Sequence, residues 1–322
     1  MKDKEERKPI YEMIQENLKD GRLPEDFALE DEWQKAGELS WAPGAHDGVM
    51  LNHMAPYEAN EEEKGKILEI LSMISEGENA DNMDRIFGIL EELDKKNTIV
   101  RMYDAFRESI GVNQDKLNLM NIVNFGDWLI CRGASFLAVK FGLTLLSGFS
   151  IPFVEEVHIT FGAYEEFTYY AARCLSSRMW EDGNEQLFRL ARNLRGWGRV
   201  HAVEYLRPET EEIRDWLLFE GSDNTVVPQY SSEICLWKGG AVPRLRTGAS
   251  AKEFEAIGRL IGECLESGPC PGLSDPEPLL AGYLGAAKGR PFDRELIQTI
   301  RDWAEENELN QEIVSAAEKL LG

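Results

Sequence analysis

Two of the four histidines in the chain share one short stretch, WAPGAHDGVMLNHM (41–54), and an aspartate directly follows the first. His46, Asp47 and His53 have the composition of a non-haem iron facial triad, two imidazoles and a carboxylate holding iron with positions open for oxygen. The spacing argues against it. Adjacent residues on an extended segment point to opposite sides, so His46 and Asp47 would not share one ion. Di-iron helical bundles need two Glu-x-x-His motifs. This chain has one, Glu155–His158, and one reversed pair, His201–Glu204. No metal site is therefore expected, and the 41–54 stretch is expected to be a loop packing Trp41 and Met50 onto the body of the fold.

Other chemistries leave fainter traces. GWGRVH (196–201) begins like a dinucleotide-binding turn, but His201 stands where the third glycine belongs and no strand precedes it. Neither GxxxxGK[ST] nor GxSxG occurs. Cys270, in SGPCPGLSD, lacks the surroundings of a haem-thiolate loop and reads as part of a turn. The carboxylates Glu165 and Glu166 suit the start of a helix, where the macrodipole favours negative charge. Gly282, Gly285 and Gly289 have the spacing of small residues that let helices approach. Tyr164, Phe167, Tyr170, Trp197 and Trp216 could line an apolar groove for a small molecule or a peptide. The alternative is that these rings form core between stacked helices.

The elements that would position these residues are helices. Apolar residues recur at helical spacing in KPIYEMIQENLKDG, EEEKGKILEILSMISEG, MDRIFGILEELDKK and TIVRMYDAFRESIG. In the middle of the chain four segments run into glycines that read as helix stops: Gly133, Gly162, Gly196 and Gly221. Each is followed by a second apolar stretch, as in degenerate helix-pair repeats. Residues 239–250, GGAVPRLRTGAS, read as a break, and four more helices are expected after residue 250. The best strand candidate, TVVPQY, is weakened by Pro228. The fold expected is all-α, an irregular α-solenoid of stacked helix pairs of HEAT or armadillo type. It divides into an N-terminal helix and ordered loop (1–60), a repeat body (61–240), and a C-terminal helical region and cap (241–322).

Composition narrows the partners. The 322 residues carry 58 acidic against 35 basic side chains, a formal charge of −23. Such a surface repels phosphate backbones, so nucleic acid is not expected as a partner. No apolar run reaches the roughly 20 residues of a membrane span. The charged N-terminus has no apolar signal core, and five cysteines without a CxxC pair suggest reduced thiols, so a cytoplasmic location is expected.

KPIYEMIQENLKDGRLPEDFAL, WAPGAHDGV and GWGRVHAVEYL with WLLFEGSDN are similar to a group of bacterial proteins named limonene hydroxylase. The resemblance implies a monooxygenase that oxidises limonene to perillyl alcohol and carveol, with NADH as electron source and possible further oxidation of the alcohols. It assigns no catalytic or cofactor-binding residue. The residues themselves lead to a different class, a non-catalytic α-solenoid scaffold binding a protein, a peptide or a small apolar ligand. Both classes stay open at the level of sequence.

Overall fold

The computed structural model describes residues 8–30, 41–55, 57–77, 80–94, 99–266, 268 and 272–322. Cys270 lies outside them. The described residues form eighteen helices and no strand, with one isolated β-bridge at Lys19–Arg22. None of these helices is long and apolar enough to cross a membrane. The chain divides into two compact units, Met1–Ala202 and Val203–Gly322.

The first unit contains α1 (Ile10–Asn17), α2 (Ala45–His53), α3 (Glu61–Glu76), α4 (Ala80–Asp94), α5 (Tyr103–Val112), α6 (Leu119–Arg132), α7 (Phe136–Leu146), α8 (Pro152–Gly162), α9 (Thr168–Leu175) and α10 (Gly183–Asn193), and the start of α11 (Gly196–Tyr205). Local chemistry sets many of the starts. Asn60 and Glu63 form a reciprocal capping box on α3, and Asn118 and Ser135 cap α6 and α7. The apolar stripes read from the sequence then close on one another. Ile67, Ile70, Leu71, Ile86, Leu90, Phe106, Ile122, Phe125, Leu129 and Phe141 make one continuous core. Helix α7 is buried along nearly its whole length, from Leu137 to Leu146, and that stretch includes one charged residue, Lys140.

The second unit holds α12 (Glu211–Glu220), α13 (Gln229–Lys238), α14 (Ala241–Thr247), α15 (Ala251–Leu265), α16 (Pro276–Ala287), α17 (Arg294–Glu306) and α18 (Gln311–Leu321). Its packing has the alternation of stacked helix pairs. Helices α13, α15 and α17 pack in one row and α14, α16 and α18 in another, with sequence neighbours bridging the rows. Each pair buries a stripe that it could not cover alone.

Three local expectations change. The 41–54 stretch is not a loop, because α2 occupies most of it, and Trp41 is exposed. Residues 239–250, read as a break, contain α14 between two glycines in left-handed conformation, Gly240 and Gly248. Gly133 and Gly221 do cap helices and Gly162 ends one, but Gly196 opens α11, since α10 has already finished at Asn193.

Candidate functional site

Lys140 projects from an otherwise apolar buried surface, and an ammonium there is costly unless paired and hydrogen-bonded. Its Nζ lies 2.8 Å from Asp47 Oδ2 and 2.5 Å from Glu166 Oε1. All three side chains are about a tenth exposed or less. One ammonium does not balance two carboxylates, and donors from the surrounding elements complete the shell. The backbone N–H of Gly44 donates to Glu166 Oε2 at 2.7 Å, and the Tyr170 hydroxyl donates to Asp47 Oδ2 at 3.3 Å. His46 Nδ1 stands 3.6 Å from Asp47 Oδ1. Burial alone would raise the Asp47 pKa, but Lys140 and His46 outweigh it and hold the group down to about 2. Burial likewise disfavours the Lys140 charge, and the two carboxylates more than offset this, keeping its pKa above the ordinary value.

Asp47 reaches the interior because two glycines let α2 come close. Gly44, at φ +73°, sits so near the backbone of Glu165 that a Cβ would lie 2.6 Å from its carbonyl oxygen. A Cβ on Gly48 would lie 2.2 Å from the Trp197 ring. Helix α2 therefore rests directly on the indole, and Asp47, one residue before Gly48, turns inward.

His201, on α11, borders the same cluster. It is 3% exposed, and burial lowers its pKa to about 4. One ring nitrogen bonds the Gly44 carbonyl, while Nε2 has no hydrogen-bond partner among the described residues. Its ring lies tilted beside Trp197 with centroids 6.1 Å apart.

Glu165 performs a different task. Its carboxylate accepts the N–H groups of Trp197 and Gly198 at the start of α11, yet burial pushes its pKa up to about 7. A Cβ on Gly196 would lie 2.1 Å from Glu165 Oε2. Glutamates at a helix N-terminus were expected from the sequence. The helix that Glu165 caps is α11, distant in sequence, and Glu166 serves Lys140 and Gly44.

The remaining candidates are dispersed. His53 is exposed. His158 is fully buried on α8, its Nδ1 2.7 Å from the Val154 carbonyl and its Nε2 3.2 Å from that of Leu143, with a pKa lowered by burial to about 4. It is a core histidine held by backbone. Glu155, on the same helix, is half-buried, and Glu204 is exposed. Tyr164, Phe167 and Tyr170 lie inside the first unit, where Phe136, Phe161, Tyr164 and Phe167 pack ring against ring. Trp197 is also interior, under α2, and Trp216 is buried on α12 of the second unit.

No group of three or more His, Cys, Asp or Glu side chains among the described residues is arranged to hold a metal ion. At the Asp47–Glu166 pair, where a cation would be most favoured, the Lys140 ammonium already stands. The NADH implied by resemblance does not fit at GWGRVH: the helix N-terminus that would receive a pyrophosphate is filled by the Glu165 carboxylate.

The second unit contributes an open groove of about 1340 Å³ along α15, α17 and the turn between α16 and α17. Phe254 and Tyr283 stack in it face to face, with centroids 4.4 Å apart and planes 4° from parallel. The Arg290 guanidinium lies 4.9 Å above the Phe254 ring and donates to the Ala249 carbonyl. Gly258 makes room for Tyr283, whose hydroxyl would lie 2.4 Å from an added Cβ. Nothing in the sequence distinguished these residues from ordinary helix-facing core.

Fold and sites together describe an all-α protein of packed helix pairs with a buried ion cluster and an open groove. Neither protein-family models, curated proteins nor solved structures give a match to the chain.

Proposed function

We propose that this protein is a non-catalytic helical-repeat scaffold whose second unit holds a basic segment of a partner polypeptide in the groove along α15 and α17. The groove carries the reading. Its volume of about 1340 Å³ exceeds the roughly 300–1,000 Å³ of small-molecule sites, which favours a chain segment as occupant. Five acidic and three basic side chains line it. Of the basic ones, Arg259 is committed to Glu263 at 2.7 Å, and Arg290 to the Phe254 ring and the Ala249 carbonyl. Glu255, Glu266 and Glu295 are exposed and form no ion pair among the described residues. Those carboxylates, on a chain of net charge −23, favour a cationic occupant and speed its arrival.

The test is a titration of the full chain with labelled peptides that alternate apolar residues with Lys or Arg, followed by fluorescence anisotropy. Saturable binding is expected for these peptides and not for versions with Glu in place of Lys and Arg. The double variant Glu255→Lys, Glu295→Lys, altered only at exposed positions, is expected to weaken binding by about tenfold or more. Equal binding of both peptide series, or of neither, refutes the reading.

Monooxygenation of limonene is a second reading. It rests on the resemblance of the three segments. Its test is incubation of the purified protein with limonene, NADH and oxygen, with chromatographic detection of perillyl alcohol and carveol. Product formation in proportion to protein would place the chain among the oxidoreductases, whatever the peptide titration shows.

A further inference from the structure

We infer that the first unit carries a binding site for a small organic anion, a monocarboxylate with an apolar body, between the turn after α1 and helices α8 and α10. The site is a pocket of about 390 Å³, inside the size range of small-molecule sites. Its charge is opposite to that of the chain. Arg22, Arg189 and Arg192 line it against a single acidic residue, Asp20, although acidic side chains outnumber basic ones by 58 to 35 overall.

The turn that presents Arg22 is built, not loose. Asp20 and Gly21 both have positive φ, 50° and 75°, the backbone of a two-residue type I′ turn, for which Asp-Gly is a preferred sequence. Lys19 and Arg22 exchange both backbone hydrogen bonds at 2.9 Å. Asn193, on α10, fixes this turn in place: its Oδ1 accepts from Arg22 Nε at 2.7 Å, and its Nδ2 donates to the Gly21 carbonyl at 3.4 Å. With Nε engaged, the terminal nitrogens of Arg22 remain, and Arg22 forms no ion pair among the described residues. A guanidinium edge of this kind matches a carboxylate in two parallel hydrogen bonds. Among the described residues Arg189 pairs only with Glu185, its neighbour one turn away on the exposed face of α10, an ion pair of small worth. The apolar part of the lining is made by Leu18, Ile159, Ala163 and Leu190. A charged head at Arg22 and an apolar body against these side chains would satisfy both kinds of lining.

Isothermal titration of the full chain with cyclohexanecarboxylate and with the neutral cyclohexanecarboxamide tests the inference. The carboxylate is expected to bind saturably and to weaken as salt is raised; the amide is expected to bind at least about tenfold more weakly. Arg22→Ala should remove binding, and Arg22→Lys, which keeps the charge but loses the planar edge, should leave an intermediate affinity. Circular dichroism of both variants reports whether the exposed substitution leaves the fold intact. Failure of the carboxylate to saturate, equal binding of the amide, or unaltered binding in a folded Arg22→Ala protein each overturns it. The peptide groove of the second unit plays no part in these outcomes.

Discussion

Lys140 holds two carboxylates together inside an apolar helix bundle, and its removal would leave both in the interior without a cation. Breaking one side of a buried ion cluster typically costs about 3–5 kcal/mol, so Lys140→Met should lower the urea unfolding free energy by that order. Adding Asp47→Asn and Glu166→Gln to it should recover part of the loss, since no uncompensated charge then remains. Full stability in Lys140→Met alone would mean that the cluster carries little energy. Four titrating groups also give a pH dependence with a definite sign. His158 and His201 titrate near 4 in the folded chain, against about 6.5 when unfolded. The unfolded chain therefore takes up their protons first, and stability falls as pH drops from about 6.5 towards 4. Asp47, with its folded pKa lowered to about 2, adds a contribution that is complete above about 3.9 and lost as pH falls through its folded value. Glu165, raised to about 7, acts in the opposite direction: its contribution is present below the unfolded value and is lost as pH rises towards 7. Replacing both histidines with asparagine should flatten the slope between pH 6.5 and about 4 in denaturation measurements. Glu165→Gln should gain stability over the parent progressively as pH rises from about 4.3 to about 7, with the full gain above that.

At the scale of elements, the decisive contact is α2 on Trp197. Gly48→Ala sets a methyl group 2.2 Å from the indole, a separation that only movement of the helix relieves. The variant should lift α2, wet the Asp47–Lys140 pair and shift Trp fluorescence to the red; Trp197→Leu in the same chain should restore part of the stability by making room. An unchanged melting midpoint in Gly48→Ala would show that α2 is not seated as described. The elements themselves were largely legible. The apolar stripe of 61–76 and the four helices after residue 250 follow from helical spacing alone. Helix α2 was not, because Gly44, Asn52 and a short mixed run gave no period, and its position is fixed by what lies beneath it. Helix α14 escaped for a similar reason, being short and bounded by glycines.

At the scale of the whole molecule, a formal charge of −23 repels itself in the compact state. Raising ionic strength from a few millimolar to about 0.15 M shortens the screening length to about 8 Å and should raise the thermal midpoint. A midpoint that falls with salt would assign more of the stability to surface ion pairs such as Arg244 with Glu211 and Asp215 than to relief of repulsion.

The amino-acid sequence by itself determined that the chain is helical, that helix pairs bury one another, and that its surface is acidic. These properties are written in neighbours three and four residues apart and in simple sums of charge. Tertiary structure alone decided which side chains meet. Lys140 interrupts an apolar run, and an ammonium buried there is too costly to stand without partners. No local period could say that they are Asp47 and Glu166, nor that Glu165 caps a helix some thirty residues onward. Those pairings join positions far apart along the chain, and they are chosen by the close approach of packed helices.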